Sequence, residues 1–408
     1  MGNRAALKWT SALAAAALMA AACGAQVGSQ APGASSSGGG AAGDRILIGS
    51  TLSLTGIQAP LDEPGLRGAQ LAVKELNKKG GILGKQVDLI NLDGKSDPVV
   101  VGNVALELIQ KGAQAIIAPC DFDFGGPASR EAQKAGIVGI STCASSPLYG
   151  SKSLGDKQFT LSMWNTTMGA SGAEWGYTKK GWRTAYVVTD TFIDYTKSLS
   201  RYFIATFKHL GGEVFAEDTY TQGAQDFSAQ LQRIKALPKQ PDVLYISSYM
   251  PDLGTIIKTI RAAGITTPVM GGDSYDDPQL SVVLGADRGN DVFYATHSFM
   301  SAEAGANVAT FLDLYKAEYS KDPDTAFVVT GWDVVNVMAE AMTKANTTDG
   351  AAVAKAMEGT EFTLLTGHLT WSNAADGHRP DKEAVIAEIT AGKTAFQGWF
   401  RPTWLPEP

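Results

Sequence analysis

The residues that could do chemistry are few, and their spacing does not indicate a catalytic or metal site. Cys143 and a distant histidine have the residue types of a nucleophile and its base, but nothing beyond residue type supports such a pair. The four histidines, His209, His297, His368 and His378, lack the spacing of metal ligands, and no C-x-x-C motif occurs. The P-loop and the G-x-S-x-G motif are absent, and no G-x-G-x-x-G follows the first predicted strand. We therefore predict a protein that is not an enzyme and that uses no metal and no cofactor.

Polar residues are instead concentrated in two turns that follow predicted strands. The apolar runs Ala115 to Ala118 and Ile137 to Ile140 are typical of strands buried on both faces, and Ala128 to Ala135 between them predicts a helix. Two parallel strands joined by one helix end at the same edge of a sheet, where the ligands of open α/β sheets bind. The loops 119–126 and 141–147 are therefore predicted to form one wall of a binding cleft.

The rest of the chain alternates between predicted strands and helices, which favours parallel, doubly wound sheets. Before the wall lie a strand from Arg45 to Ser50, a helix opened by Pro64, a strand from Val87 to Leu92 and a helix from Val99 to Lys111. The alternation pauses near 159–164 and restarts in a second set of elements between 168 and 295. Three helices, from Ala306, Phe327 and Ala351, and a strand-like tail follow.

This pattern predicts an α/β protein with two lobes, each built on a doubly wound parallel sheet. We expect the chain to pass between the lobes near 160, 297 and 366. The first lobe would comprise residues 44–161 and 297–365, and the second lobe residues 162–296 and 366–408.

The first 43 residues predict export and attachment rather than a folded domain. Residues 1–22 have the form of a signal peptide, with an apolar run, Leu13 to Ala22, that is too short to span a bilayer stably. The small residues before Cys23 resemble the lipobox of bacterial lipoproteins, in which the cysteine receives the lipid; an ordinary secretory signal with an incidental cysteine is the alternative. Residues 23–43 are rich in Gly, Ala and Ser and predict a flexible tether. We expect a lipoprotein that is anchored to the outer face of the bacterial cytoplasmic membrane.

The charge of the exported chain argues against nucleic acid as a partner. Removing residues 1–22 leaves 386 of the 408 residues, enough for about two domains. The removed part contains Arg4 and Lys8 and no acid, so the formal net charge changes from −7 to −9. A mildly acidic, evenly mixed chain does not favour binding to nucleic acid or to lipid through a basic patch. We expect a monomer that meets the membrane through its lipid.

Two cysteines remain after Cys23, at the ends of neighbouring predicted strands. Export to an oxidising compartment favours a disulfide between Cys120 and Cys143, and two free buried thiols are the alternative. Closing a loop of 23 residues would stabilise the fold by roughly 3 kcal/mol.

From Asn77 the chain reads NKKGGILGKQVDLINLDGKSDP, which resembles the hallmark of the periplasmic solute-binding proteins of ABC importers. The similarity is to the branch that takes leucine, isoleucine and valine, and it spans about 46–399. Further matching segments are Leu52 to Gly56, Pro127 to Ser129, Asp190 to Leu199, Tyr245 to Gly254 and Gly271 to Asp273. The order of these motifs makes the resemblance specific.

The resemblance implies a type I binding-protein fold, with two lobes joined by a three-strand hinge that close on a ligand. It places Asp273 where a second-lobe acid pairs with the ligand ammonium, and Ser145 where a hydroxyl binds the ligand carboxylate. Tyr195 and Tyr249 match the tyrosines that close the site, and Leu61 matches the apolar residue over the ligand side chain.

One segment departs from the family pattern. Where the family has a serine-rich turn, this chain reads Cys-Asp-Phe-Asp-Phe-Gly from 120 to 125, so Phe122 or Asp123 replaces a hydroxyl donor. Two acids beside a ligand carboxylate would repel it, whereas two phenylalanines could stack on a ring or cradle a cation. Either the acids point to solvent or the ligand is not a simple α-amino acid.

The expected function is an extracytoplasmic solute-binding lipoprotein of an ABC importer. It would capture a small amino-acid-like solute, a branched-chain amino acid or a related compound, aromatic ones included, and deliver it to the permease subunits in the membrane. The alternative is a ligand sensor or adaptor of the same fold without a transport role.

Overall fold

The computed structural model describes residues 45–224 and 226–408. The predicted signal peptide 1–22, the tether 23–43 and the lipidation site Cys23 lie outside the described residues. Over the described ranges, no helix is both long enough and apolar enough to cross a bilayer. Two main sheets with helices around them form an α/β fold of two parallel-sheet lobes, which confirms the predicted fold class.

The first sheet contains five parallel strands in the order β2–β1–β3–β4–β5. Its strands are β1 (Arg45–Ser50), β2 (Gln86–Asn91), β3 (Ala115–Ala118), β4 (Val138–Ser141) and β5 (Gln158–Thr160). The connecting helices are α1 (Ala59–Lys78), α2 (Pro98–Gln110), α3 (Phe122–Lys134) and the short α4 (Ser151–Leu154). In β3, alternate side chains enter two different hydrophobic cores, because helices cover both faces of the sheet.

Two helices begin earlier than the sequence predicts. α1 begins at Ala59 rather than Pro64, and α3 begins at Phe122 rather than Ala128, so that Pro64 and Pro127 lie inside helices. The sequence rule places proline in the first turn, but here the packing of both helices outweighs the hydrogen bond that each proline removes. The turn after β3 is therefore only three residues long, 119–121.

The second sheet contains seven strands in the order β15–β14–β10–β9–β8–β6–β7. The parallel strands are β6 (Thr184–Asp190), β7 (Glu213–Tyr220), β8 (Val243–Ser247), β9 (Val269–Gly271) and β10 (Val292–Thr296). Two antiparallel strands, β14 (Ala384–Thr390) and β15 (Lys393–Phe400), complete the sheet. The tail thus joins the second sheet.

Five helices accompany the second sheet. They are α5 (Asn165–Trp175, continued by a wider turn Gly176–Lys180), α6 (Asp194–His209), α7 (Ser228–Lys235), α8 (Asp252–Ala262) and α9 (Pro278–Arg288). The sequence analysis does not predict α9. Its start has a recognisable signal, because the Asp277 carboxylate accepts a hydrogen bond from the Gln279 N–H (2.8 Å) and Pro278 follows that cap.

The chain passes between the lobes three times: after β5, after β10 and between Lys382 and Ala384. Between the last two passages lie α10 (Ala306–Tyr319), α11 (Phe327–Ala345), α12 (Gly350–Met357) and a small sheet of β11 (Phe362–Leu364), β12 (Gly367–Trp371) and β13 (Pro380–Lys382). The third passage occurs later in the chain than the predicted position 366. The strand β12 still belongs to the first lobe, because its residues Leu369 and Trp371 are buried in the core of the first sheet.

The strand before the first passage, β5, is bound to the segment that contains β12 and the turn after it. The Trp371 indole N–H donates to the carbonyl oxygen of Thr160 (2.9 Å), and His378 Nδ1 lies 3.1 Å from the carbonyl oxygen of Gln158. The Phe159 ring stacks on the His378 ring at 4.0 Å. These contacts hold β5 on the first lobe up to the point where the chain passes towards α5.

Candidate functional site

The two sheets face each other with the carboxyl ends of their parallel strands, and each sheet has one point at which its strand order reverses. In the first sheet the order reverses between β1 and β3, and in the second sheet between β6 and β8. Loops that diverge at such a point leave a crevice outside the carboxyl ends of the strands, which is where α/β sheets bind ligands. Most of the side chains described below come from these loops, from the loops after neighbouring strands of the same sheets, or from the first turns of the helices that follow.

A buried carboxylate organises the first-lobe side of the crevice. Asp62, on the first turn of α1, accepts hydrogen bonds from the backbone N–H of Ser53 (2.9 Å) and of Cys120 (3.0 Å). It thereby joins the loop after β1 to the turn after β3. Burial raises the pKa of Asp62 to about 8, although both hydrogen bonds favour the ionised form.

Asp121 lies in the three-residue turn after β3 and reaches the other lobe. Its φ angle is +66°, in a region that L-residues seldom adopt, and its side chain is buried. The Asp121 Oδ2 atom accepts hydrogen bonds from the Gln58 amide N–H (2.8 Å) and from the Tyr249 hydroxyl (2.6 Å). Burial raises the pKa of Asp121 to about 7, and the nearby carboxylates of Asp273 and Asp123 act in the same direction.

The second-lobe side carries Asp273 in a buried pair with His297. The distance from His297 Nε2 to Asp273 Oδ2 is 2.8 Å, and both side chains are almost fully buried. Tyr195 lies beside this pair: burial and the Asp273 carboxylate raise the Tyr195 pKa well above its ordinary value. The rings of Tyr195 and Tyr249 are 5.2 Å apart, so the two tyrosines form one aromatic surface.

Two aspartates cap helices of the opposite lobe. Asp123 of α3 accepts a hydrogen bond from the Asp194 N–H (3.0 Å) at the start of α6, and the Ser146 hydroxyl bonds the Asp194 carboxylate. In the reverse direction, Asp276 of the second lobe accepts from the Ala326 N–H (2.9 Å) at the start of α11. An acceptor with negative charge is favoured at a helix N-terminus, so these two contacts hold the lobes together.

Apolar side chains from both lobes close the space between these polar groups. Leu61, Phe327, Tyr195 and Tyr249 belong to one buried cluster. The cavity that remains beside Leu61 and Tyr249 has a volume of about 20 Å³, enough for one water molecule. The lobes are therefore closed on each other, and a larger pocket of about 780 Å³ lies outside, between the Gly56–Pro60 loop and the second-lobe loops.

The structure brings together most of the residues that the sequence predicts for the site. Asp273, Tyr195, Tyr249 and Leu61 meet in the closed crevice. Ser145 lies in the buried turn after β4, and its hydroxyl has no hydrogen-bond partner among the described residues.

The two candidates from the segment 120–125, Phe122 and Asp123, lie outside this group. Asp123 faces α6, as described above, and neither it nor Asp121 points freely to solvent. Phe122 is half-buried against the core on the α2–α3 face of the sheet, with the Arg130 guanidinium 5.5 Å from its ring centre. The contacts of Phe122 are thus made within the first lobe.

Sequence analysis does not select three residues of this crevice. Gln58, Asp121 and His297 are all buried there, and Asp121 and His297 follow directly on strand ends or strand-end turns. A position just after a buried strand is the sequence signal that indicates Asp121 and His297. For Asp121 the signal is weak because the sequence predicts that α3 begins later than it does, and the spacing of His297 is informative only about metal ligands. No group of residues in the described ranges could hold a metal ion.

The structure joins Cys120 and Cys143 in a disulfide with a Cα–Cα distance of 4.7 Å. The bridge ties the turn after β3 to the turn after β4. It therefore holds the turn of Asp121 beside the turn of Ser145.

Comparison with known proteins identifies the family. Residues 45–394 match the family described as periplasmic binding protein. The chain belongs to this family. The predicted family, the periplasmic binding proteins, is thereby confirmed. Because the family consists of binding proteins, membership also agrees with the prediction that the chain is not an enzyme.

Similar proteins span nearly the whole of the folded part. The Leu/Ile/Val-binding protein of Escherichia coli K12 is 25% identical over 328 residues, which cover 79% of this chain and 86% of that protein. The structure of LivJ from Streptococcus pneumoniae in complex with isoleucine has a TM-score of 0.77 at 26% identity and covers 87% of this chain and 98% of that one. The leucine binding protein LivK of Thermotoga maritima has a TM-score of 0.78 at 26% identity, with 88% and 99% covered.

Removing the disulfide is expected to destabilise this periplasmic binding protein. Replacing both Cys120 and Cys143 by Ser releases a loop of 23 residues and should lower the free energy of unfolding by about 3 kcal/mol. Denaturant unfolding measures this difference. A reducing agent should lower the stability of the original protein and leave that of the double variant unchanged; equal stability of the two proteins would contradict the structural role of the bridge.

Removing an interlobe cap is expected to open the cleft. The variant Asp123→Ala loses the acceptor at the start of α6, and a helix cap contributes about 1 kcal/mol, so the ratio of open to closed molecules should rise about fivefold. Small-angle X-ray scattering detects the change as a larger radius of gyration.

The matched control is Asp97→Ala. Asp97 caps α2 within the first lobe by accepting from the Val99 N–H (2.8 Å). This variant should lose similar stability without opening the lobes. The same degree of opening in both variants would show that Asp123 has no specific role between the lobes.

Proposed function

We propose that this chain is an extracytoplasmic solute-binding lipoprotein of an ABC importer. It captures a small amino-acid-like solute between its lobes, a branched-chain amino acid or a related compound, aromatic ones included. Closure over the solute then presents it to permease subunits in the membrane. Cys23 carries the lipid that holds the protein at the membrane, and residues 23–43 are the tether.

The observation that carries the proposal is the crevice itself. Groups of both lobes meet there, Asp121 and Leu61 from the first and Asp273 and Tyr249 from the second, and all four are buried in the closed form. A solute that contacts both sides from within the crevice stabilises closure of the lobes around it, because it binds the closed state more tightly than the open one. The relatives that are named for leucine, isoleucine and valine support an amino-acid-like solute.

A ligand panel tests the binding function. The full chain is heated with amino acids, their amines and amides, and aromatic acids, and the midpoint of unfolding is recorded. A solute at 100 times its dissociation constant should stabilise the protein by about 2.7 kcal/mol. Mass spectrometry of the solute released when the purified protein is denatured gives an independent identification.

The variant Asp273→Asn should lose most of that stabilisation, because the charge that faces the solute is removed while the shape is kept. The control Asp88→Asn removes a charge from an exposed ion pair with Arg45 and should bind as the original protein does. No stabilisation by any small solute, together with no solute released on denaturation, would overturn the proposed function.

The lipid anchor is tested at Cys23. The variant Cys23→Ser should move the protein from the membrane fraction to the soluble extracytoplasmic fraction, because a residue without a thiol cannot receive the lipid. Mass spectrometry of the mature N-terminus should find an acylated Cys23 in the original protein. An unmodified cysteine, or cleavage elsewhere, would show that the leader is an ordinary secretory signal.

A further inference from the structure

The charge of the crevice is one-sided. Five aspartates come from the two lobes: Asp62, Asp121, Asp123, Asp273 and Asp276. Among the described residues, no lysine or arginine forms an ion pair with any of them, and the one basic partner is His297 on Asp273. A site of this kind is unlike one built to receive a solute that brings a carboxylate of its own.

Four of the five carboxylates have a structural partner suited to a negative charge. Asp62 accepts two backbone N–H groups, Asp123 and Asp276 each accept the N–H at the start of a helix, and Asp273 pairs with His297. Asp121 differs, because its two donors are side chains, the Gln58 amide and the Tyr249 hydroxyl of the other lobe. Among the described residues, it is the carboxylate of this group that has neither a bond from a backbone N–H nor a basic partner.

Two oxygen atoms at or beside this carboxylate accept no hydrogen bond from the described residues. Both hydrogen bonds to Asp121 end on Oδ2, which leaves Oδ1 without one among the described residues. The Oε1 atom of Gln58, on the amide that donates to Asp121, is buried and has no partner there. A buried acceptor without a partner is costly, so Gln58 Oε1 calls for a donor from a bound molecule, and Asp121 Oδ1 is free to accept from the same molecule.

Three backbone donors of this wall are already occupied. The N–H groups of Ser53 and Cys120 are used by Asp62, and that of Ala144 donates to the Ser141 hydroxyl (3.0 Å). The Ser145 hydroxyl remains without a partner in the described ranges, and it can accept as well as donate. This hydroxyl can therefore accept a hydrogen bond from a donor-rich solute.

We infer that the solute is an organic cation with N–H donors and no free carboxylate, a protonated amine or a guanidinium, whose charged group binds Asp121 and the Gln58 amide oxygen. This inference rests on the proposed function and narrows its solute class from amino acids to their amines and amides. Aromatic rings, which can attract a cation, lie beside this position: the Tyr249 hydroxyl bonds Asp121, and the Tyr195 ring is 5.2 Å from the Tyr249 ring.

Proton release accompanies this binding. In the closed form the pKa of Asp121 is raised to about 7, and the groups that face it are Asp62, Asp123 and Asp273 with its partner His297, together with the hydroxyl of Tyr249. A cation favours the ionised carboxylate and displaces the proton, so its affinity rises as the pH increases through 7. A carboxylate solute favours the protonated form, and its affinity falls over the same range.

Matched pairs of solutes test the inference by calorimetry with the full chain. Each pair is an amino acid and its decarboxylated amine: leucine with isopentylamine, tyrosine with tyramine, arginine with agmatine. In the pair that binds, the amine should bind at least tenfold more tightly than the amino acid at pH 7, and its affinity should rise between pH 6 and pH 8. Tighter binding of the amino acid would overturn the inference.

Variants of Asp121 provide the second arm. Asp121→Asn should lower the affinity for the amine about tenfold and reduce the change of that affinity with pH. Asp121→Ser should shift the binding preference from the amine towards the amino acid. The control Asp88→Asn removes one exposed charge from the same lobe and should leave both affinities unchanged. Unchanged amine affinity in a folded Asp121→Asn protein, judged by its thermal midpoint, would overturn the inference.

The outcomes separate the two proposals. An amino acid that binds, loses affinity in Asp273→Asn and does not respond to Asp121→Asn overturns the cation inference and leaves the solute-binding function intact. Binding by no member of either series, with no solute released on denaturation, overturns both.

Discussion

A buried hydrogen bond between the lobes, from the Tyr249 hydroxyl to the Asp121 carboxylate, defines how the two halves of the protein meet. Both groups leave water when the lobes close, and taking a carboxylate out of water is costly unless donors replace the lost hydration. The hydroxyl and the Gln58 amide supply two donors on one oxygen. The lobes therefore close in the arrangement that brings both donors within hydrogen-bonding distance of the Asp121 carboxylate.

The other contacts between the lobes share this polar, directional character. Asp123 and Asp276 each cap a helix that belongs to the opposite lobe, so the start of that helix exchanges water for a carboxylate on closing. Because each group is hydrated in the open form, the net gain from each contact is small. Such an interface separates two states by a modest free energy, which a bound solute can reverse.

The rest of the fold keeps each wall rigid while the lobes move. The disulfide ties the two turns of the first wall, and Asp62 ties the loop after β1 to the same wall. The Trp371 indole and the His378 ring hold β5, the strand before the first passage, to the first lobe. Bending is thus confined to the short connections between the lobes, and the groups that face a solute keep their relative positions within each lobe.

The sequence by itself determined the α/β alternation, the two parallel-sheet lobes and the family, because buried parallel strands need apolar runs and the family motifs stand in a fixed order along the chain. The family resemblance selected Tyr195, Tyr249 and Asp273 as site residues, and the strand pattern predicted that the loops 119–126 and 141–147 share one edge, since parallel strands all point one way. Only the tertiary structure decided that Asp121 turns inward at a positive φ, that α3 begins at Phe122, and that Gln58 and His297 lie in the crevice. These features depend on partners more than 20 residues away along the chain, and local pattern contains no information about such partners until the lobes are packed together.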